Sequence, residues 1–231
     1  MSAQPKVLFV LTSHSKMGDT GNPTGWYLPE FAHPYEVLSP VAKIDIASPN
    51  GGEAPLDPSS VEASKDDSVS TTFLKTKESL WKSTQKLSSF VGKAAEYDAI
   101  FFVGGHGPMW DLSVDSTSHK IIQEFYDNKK VISAVCHGPA ALAKVQFTNG
   151  KSLLDGEPVT GFSNTEEDAV GLTAAMPFSL EDELNKSSGG NYKKVGDWGV
   201  NVIVARGGLL ITGQNPASAG GVGEAIKKQI V

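Results

Sequence analysis

The residues best suited to chemistry in this chain are Cys136 and His137, which follow one another at the end of an apolar run. The segment 131–135 is rich in β-branched residues and predicts a fully buried strand. A helix is predicted to open at Gly138, so the cysteine lies at a sharp turn between strand and helix. Such an elbow presents a nucleophile and requires small residues two positions before and after it, here Ala134 and Gly138.

Two explanations of Cys136 are open at this point. A thiol flanked by an imidazole, near the free N–H groups of a helix start, is expected to have a depressed pKa and to be nucleophilic. On composition alone, however, a single cysteine at a strand end is more often a small buried hydrophobic residue. The residues at the other strand ends decide between the two.

The hydrophobic pattern predicts five buried strands that alternate with helices. The strands are expected at 6–12, 43–47, 97–103, 131–135 and 158–162. Helices are expected at 24–38 (with a start broken by Pro29 and Pro34), 72–93 (in one or two pieces), 116–128, 177–184 and 215–231, and a β-hairpin at 201–212 around Gly207 and Gly208. This alternation favours a mostly parallel, flavodoxin-like α/β sheet with helices on both faces, in which the first, third and fourth strands are neighbours.

Further chemical groups follow the predicted strands on the edge where Cys136 lies. Glu30 follows the first strand, Gly104 and Gly105 end the third, and Glu167 follows the fifth. Each has a simpler explanation: a solvated glutamate, a tight glycine loop, and an acidic first helical turn behind a Thr165 N-cap. Their collection at one edge of a parallel sheet, where ligands bind, nevertheless favours a catalytic Cys136.

Composition excludes several classes of protein. The formal net charge of −6 and the absence of a Lys/Arg cluster argue against nucleic acid and anionic membranes as partners. One cysteine excludes an intramolecular disulfide and suits a reducing compartment. The apolar run 7–11 is too short for a membrane span and lacks a cleavage pattern behind it, so we expect the cytoplasm, with the nucleus as the alternative. The length of 231 residues fits a single domain, 1–231.

Several motifs together resemble the ThiJ/PfpI superfamily, and most closely its fungal and bacterial glyoxalase III and heat-shock chaperone branch. They are Ala134-Val-Cys136-His137-Gly138-Pro139, Gly104-Gly105-His106-Gly107, Pro29-Glu30, Thr24-Gly25, His33-Pro34, Thr160-Gly161-Phe162 and 212–218. The resemblance implies a flavodoxin-like fold of the class I glutamine amidotransferase type, usually dimeric, without an organic cofactor. The resemblance is weak in an insertion around 48–93 and in 187–199, so it defines the lid and the substrate range least well there.

The resemblance also implies roles for individual residues. Cys136 is expected to be the nucleophile, His137 its base, Glu167 the acid that orients the histidine, and Glu30 the carboxyl group beside the sulfur, while an oxyanion is expected to bind near Gly104 at the backbone N–H groups of Gly105 and His137. Glu166 is the rival to Glu167, because a loop one residue different would exchange them. His14, His106 and His119 are interpreted as loop or surface histidines, and no metal site is predicted.

The resulting expectation is a glutathione-independent glyoxalase, glyoxalase III, that converts the 2-oxoaldehyde methylglyoxal to D-lactate through a hemithioacetal on Cys136. This is a lyase of the hydro-lyase type (D-lactate dehydratase) and needs no redox cofactor, metal or glutathione. One alternative is a stress chaperone or redox sensor in which Cys136 is oxidised beside Glu30. Another is a cysteine hydrolase of the peptidase, amidotransferase or protein deglycase type.

Overall fold

The computed structural model describes residues 4–231 and contains a sheet with helices on both faces. The strands are β1 (Lys6–Val10), β2 (Lys43–Ser48), β3 (Gln85–Lys86), β4 (Ala99–Phe102), β5 (Val131–Val135), β6 (Val202–Ala205) and β7 (Leu210–Gly213). The α-helices are α1 (Leu28–Leu38), α2 (Pro58–Ala63), α3 (Ser68–Thr76), α4 (Ser79–Lys82), α5 (Ser116–Asp127), α6 (Ala140–Ala143), α7 (Asn164–Ala169), α8 (Leu180–Ser187) and α9 (Ala219–Ile230). None of the helices in 4–231 is long and apolar enough to cross a membrane.

The strand order confirms the predicted topology around the site. It is β3-β2-β1-β4-β5-β7-β6, and every pair is parallel except β6 with β7, which form the predicted hairpin. Val10 lies opposite Phe102, and Phe102 opposite Ala134, so β1, β4 and β5 end at one level. From β1 the chain winds outward to β3 and then returns to β4, which creates a switch point where such sheets bind ligands.

The core explains why the central strands read as continuous hydrophobic runs. Every residue of β4 and β5 is buried, as expected for parallel strands covered by helices on both faces. Helix α1 packs tightly on α9, since a Cβ atom at Gly223 would lie only 2.9 Å from the Cα of Pro34. Pro29 occupies the first turn of α1, where its fixed φ fits and no N–H is needed. Helix α1 runs unbroken to Leu38 even though Pro34 lies inside it.

The strand predicted at 158–162 is wrong. Residues 159–162 are buried, but among the described residues the segment forms a single β-bridge, between Val159 and Tyr192, and one further backbone hydrogen bond, from Phe162 N–H to the carbonyl of Cys136. The position next to β5 is taken by β7, and Thr160 donates its N–H to the side-chain hydroxyl of Thr212 in β7, not to a backbone carbonyl of a neighbouring strand. Pro158, which has no N–H, further weakens a ladder at this point.

The helix predicted over 72–93 is also wrong. Helix α3 ends at Thr76, α4 covers one turn, and the chain then adds β3 to the sheet edge before a 3₁₀ turn at 87–90. The apolar residues are buried as expected, among them Phe73, Trp81 and Leu87, but they belong to separate short elements. Helix α8 starts later than predicted, because the Ser179 side chain caps it by accepting the N–H of Asp182.

Candidate active site

Cys136 occupies a strained elbow between β5 and the turn that precedes α6. Its φ of +59° lies in the left-handed region, which residues other than glycine rarely adopt and which clusters at functional sites. Its N–H is fixed by the carbonyl of Gly213 at 2.9 Å. A Cβ atom at Gly138 would lie 2.4 Å from the carbonyl oxygen of Phe102, so the turn requires the small residue that the elbow pattern predicts.

His137 lies between Cys136 and Glu167. Its Nδ1 is 3.4 Å from the Cys136 Sγ, and its Nε2 is 2.6 Å from Oε2 of Glu167. Since a carboxylate only accepts, Nε2 carries the proton that it donates, and Nδ1 is left as an acceptor facing the thiol. Burial lowers the pKa of His137, and so does the nearby His106, so the imidazole is neutral at neutral pH.

His106 belongs to the site, which corrects its interpretation as a loop or surface histidine. Its Nε2 donates to Oε1 of Glu167 at 2.9 Å, and its ring centroid lies 4.1 Å from that of His137. Burial alone would raise the pKa of Glu167, but the two histidines lower it well below its ordinary value. The signal was present in the sequence, because His106 directly follows the glycine pair at the end of β4.

The structure decides between Glu166 and Glu167 as the partner of His137, because only Glu167 contacts its imidazole. Glu166 is fully buried and faces the opposite way. Its Oε2 accepts the N–H and hydroxyl of Ser163 at 3.0 and 2.9 Å, in a capping box that starts α7. The N-cap of α7 is therefore Ser163 and not the predicted Thr165.

The carboxyl group of Glu30 is fully buried beside Cys136. Burial raises the pKa of Glu30 well above its ordinary value, against the opposing influence of the Cys136 thiol and the Gly104 N–H. Within 4–231 neither carboxyl oxygen of Glu30 has a hydrogen-bond partner of ordinary geometry. A buried carboxyl without a cation stays protonated, and Glu30 can therefore donate a hydrogen bond to sulfur or to a substrate oxygen.

The pKa of the Cys136 thiol differs from the value expected from the sequence. Burial raises the pKa of Cys136 well above its ordinary value, and the neighbouring Glu30 adds to this. The predicted depression fails for two reasons: the imidazole of His137 is neutral, and α6 begins only at Ala140 and is four residues long. A thiol with a raised pKa needs a neighbouring base in order to act as a nucleophile, and Nδ1 of His137 is in position to accept its proton.

Two backbone N–H groups next to the sulfur are free to bind an anionic oxygen. Those of Gly105 and His137 have no acceptor among the described residues, and both residues line the cavity at Cys136. Gly105 has a φ of +92°, and a Cβ there would lie 2.3 Å from the carbonyl oxygen of Gly25. Gly104, which was also predicted to lie at the oxyanion site, is not among the described residues that line this cavity.

The cavity above Cys136 has a volume of about 420 Å³. Tyr27, which sequence reasoning missed, lines it beside the catalytic candidates. Burial, with Glu30 and Cys136 as further causes, raises the pKa of Tyr27 to about 12, so its phenol keeps its proton and can donate to a substrate. Phe162 covers the ring of His137 at a centroid distance of 4.5 Å.

The same histidines and carboxylate could also hold a metal ion. Ligand atoms of His106, His137 and Glu167 lie within 4.8 Å of one another, and imidazole nitrogen with carboxylate oxygen suits Zn²⁺. The expectation of no metal stays a prediction. Without a metal, the hydrogen bonds join His106, Glu167 and His137 into a chain that ends at the Cys136 thiol and could serve as a proton relay.

Comparison with known proteins identifies one matching family. A profile of the DJ-1/PfpI family matches residues 28–226. The chain is 31% identical to the glutathione-independent glyoxalase hsp3102 of Schizosaccharomyces pombe over 89% of this chain and 88% of that protein.

Two solved structures are similar to this chain over nearly its whole length. The chain is similar to Rapid Encystment Protein 24 KDa of Francisella tularensis, with 40% identity, a TM-score of 0.91 and coverage of 98% of this chain and 99% of that one. It is also similar to glyoxalase III of Candida albicans, with 28% identity, a TM-score of 0.87 and coverage of 99% and 98%.

Proposed function

The chain belongs to the DJ-1/PfpI family, and we propose that it is a glutathione-independent glyoxalase that converts methylglyoxal and related 2-oxoaldehydes to 2-hydroxy acids. The relatives named glyoxalase support this activity. The observation that carries it is the arrangement at Cys136: a thiol against the free Nδ1 of a neutral His137, with the protonated Glu30 buried beside it.

The first step is addition of the thiol to the aldehyde. The Cys136 proton passes to Nδ1 of His137 while Sγ bonds to the aldehyde carbon. The carbonyl π electrons move to oxygen, where the N–H groups of Gly105 and His137 stabilise the charge until protonation completes a hemithioacetal. Glu167 holds the imidazolium that forms in this step.

The second step moves a hydrogen between the two substrate carbons. After His137 has returned its first proton, Nδ1 removes the proton from the former aldehyde carbon. The electron pair enters an enediolate, whose oxygens accept hydrogen bonds from Glu30 and the backbone donors. Protonation of the neighbouring carbon then gives a thioester, so one carbon is oxidised and the other reduced without a redox cofactor.

Hydrolysis completes the cycle. Water attacks the thioester, the Cys136 sulfur leaves and recovers its proton, and the 2-hydroxy acid is released. Protonation on one face of the enediolate gives D-lactate, and the reverse dehydration of D-lactate corresponds to the hydro-lyase classification. We assign the proton transfers at the sulfur and at the former aldehyde carbon to His137, and the hydrogen bond to the enediolate to Glu30.

The proposed chemistry requires a reducing compartment. Cys136 must remain a free thiol, which the cytoplasm or the nucleus maintains. We place the protein there, with a homodimer as the assembly that family resemblance implies, and light scattering of the purified chain measures the latter directly.

The test is formation of D-lactate from methylglyoxal by purified protein that has been freed of glutathione. We expect stereospecific D-lactate formation by the native chain and none by Cys136→Ala, with circular dichroism showing that both are folded. Equal activity of the two proteins would overturn the assignment, and so would a requirement for added glutathione.

A further inference from the structure

Trp198 is an exposed aromatic residue at the mouth of the Cys136 cavity. It lines that cavity, yet 48% of it is exposed, which is unusual for so large an apolar side chain. Its ring centroid lies 5.8 Å from that of Phe162, which in turn covers His137. The two rings therefore form a wall that runs from the catalytic histidine out to solvent.

The backbone holds Trp198 in a strained conformation. Its φ is +62°, in the left-handed region that a bulky residue adopts only when its surroundings impose it. Two hydrogen bonds do so. The N–H of Trp198 donates to Oε1 of Glu166 at 2.9 Å, and the carbonyl of Gly199 accepts from Nδ2 of Asn215 at 2.8 Å.

Glu166 connects the loop that contains Trp198 to helix α7, which carries Glu167. Its Oε1 also accepts from Asn215 Nδ2 at 2.8 Å, while its Oε2 is bound by Ser163 at the start of α7. A capping box explains the bonds to Ser163 but not the two further donors on Oε1. One buried carboxylate therefore fixes Trp198 relative to the helix that carries Glu167.

The cavity offers more apolar surface than methylglyoxal can cover. Its outer wall adds Val170, Leu172 and Pro216 to the two aromatic rings, and none of the described residues that line it is Lys or Arg. A volume of about 420 Å³ lies in the range of about 300–1,000 Å³ that is typical of sites for small organic ligands. Exposed apolar surface held in place beside a reactive group indicates a binding site.

We propose that Trp198 and Phe162 bind the substituent of the 2-oxoaldehyde, and that Glu166 is the positioning residue for Trp198. The substrates are then uncharged 2-oxoaldehydes with an aryl or branched alkyl group, for which phenylglyoxal is the probe. This inference rests on the proposed glyoxalase activity. The chemistry at Cys136 is unchanged: R–CO–CHO and water give R–CH(OH)–COOH, so phenylglyoxal gives mandelate.

The experiment compares kcat/KM for phenylglyoxal and methylglyoxal in the native chain and three variants. Trp198→Ala should lower kcat/KM for phenylglyoxal about tenfold, mainly through KM, and change that for methylglyoxal less than about twofold. Trp198→Phe should keep most of the preference, because a ring remains. Val200→Ala is the matched control, since Val200 is 67% exposed on the same loop but does not line the cavity.

Glu166→Gln tests the positioning role separately. The amide has one acceptor oxygen where the carboxylate serves Ser163 with one oxygen and Trp198 and Asn215 with the other, so the link between α7 and the Trp198 loop is weakened on one side and the phenylglyoxal to methylglyoxal ratio should fall toward that of Trp198→Ala. An equal effect of Trp198→Ala on both substrates overturns the inference while leaving the glyoxalase assignment intact. Failure of the native chain to convert either substrate contradicts the glyoxalase assignment itself.

Discussion

The Sγ atom of Cys136 lies 3.4 Å from Nδ1 of His137, although side chains of consecutive residues normally diverge. The left-handed backbone at Cys136 removes that divergence by turning the chain sharply between the two residues. The second nitrogen of His137 is then held by Glu167 from a different part of the chain. The imidazole of His137 is therefore oriented at both of its nitrogens, and its contact with the thiol depends on the elbow.

Replacing Glu167 should change the pH dependence of the reaction as well as its rate. Glu167 raises the pKa of His137 against the larger effect of burial, so Glu167→Gln should move the acidic limb of kcat/KM to lower pH. Loss of the group that orients the base should also reduce kcat about 10- to 100-fold. His106→Ala, which removes a group that lowers the pKa of His137, should move the limb the opposite way. A pH–rate profile that is the same in all three proteins contradicts the relay.

Replacing Glu30 should change how stability varies with pH. The folded pKa of Glu30 is raised, so its protonated form stabilises the fold fully below its unfolded pKa of about 4.5. That stabilisation is lost as the pH rises through the folded value. Glu30→Gln, which remains neutral, should therefore unfold with a flatter pH dependence than the native chain, as measured by urea denaturation.

The control for this measurement is Glu36→Gln, on the exposed side of the same helix. Burial also raises the pKa of Asp111, so the native chain retains a second source of pH dependence and only the difference between variants is informative. A curve for Glu30→Gln that is parallel to that of the native chain from acid to neutral pH shows that Glu30 is ionised in the folded protein.

Gly104→Ala should damage the site through the position of Glu30. The added Cβ would lie 2.2 Å from Oε2 of Glu30 and 2.5 Å from the carbonyl oxygen of Val135, so one of them must move. We expect a loss of about 1–3 kcal/mol in the free energy of unfolding, together with a large loss of activity. Gly196→Ala, where no atom lies within 4 Å of the added Cβ, should change neither property. Full activity of Gly104→Ala would show that the site tolerates displacement of Glu30.

Chelation and the addition of Zn²⁺ should show whether His106, His137 and Glu167 act as a hydrogen-bonded relay or as a metal site. Treatment with a chelator should leave activity unchanged, while added Zn²⁺ should inhibit by taking His137 and Glu167 from their hydrogen bond. His106→Ala should weaken this inhibition, and His119→Ala, at a histidine outside the cluster, should not. Loss of activity on chelation, restored by Zn²⁺, would instead make the cluster a required metal site.

The sequence predicted the parts of the site that are tied to regular strands. β1, β4 and β5 are mostly apolar, with Lys6 and Ser133 as their polar residues, so their ends could be located, and with them Cys136 and the glycines after β4. Parallel pairing then brought these ends together without further information. The segment at 158–162 carried the same hydrophobic signal, but β7 competes for its place in the sheet, which no local pattern reveals.

The details that depend on side-chain geometry could not be predicted. Spacing alone did not separate Glu166 from Glu167, because the difference follows from which residue caps α7. The pKa of Cys136 was predicted in the wrong direction, because burial and the neutral state of His137 outweigh a short helix start. Trp198 carried no signal, since its position depends on a contact with Glu166 from 32 residues earlier in the chain.

The central claim is that Cys136 forms a covalent intermediate by transferring its proton to His137. The most direct measurement is acid quenching of the protein during turnover of methylglyoxal, followed by mass spectrometry of the peptide that contains Cys136. We predict an added mass of one methylglyoxal on Cys136, which appears no slower than D-lactate and is absent in Cys136→Ser. Formation of D-lactate by Cys136→Ser at the native rate, or before any adduct appears in the native chain, would contradict the account.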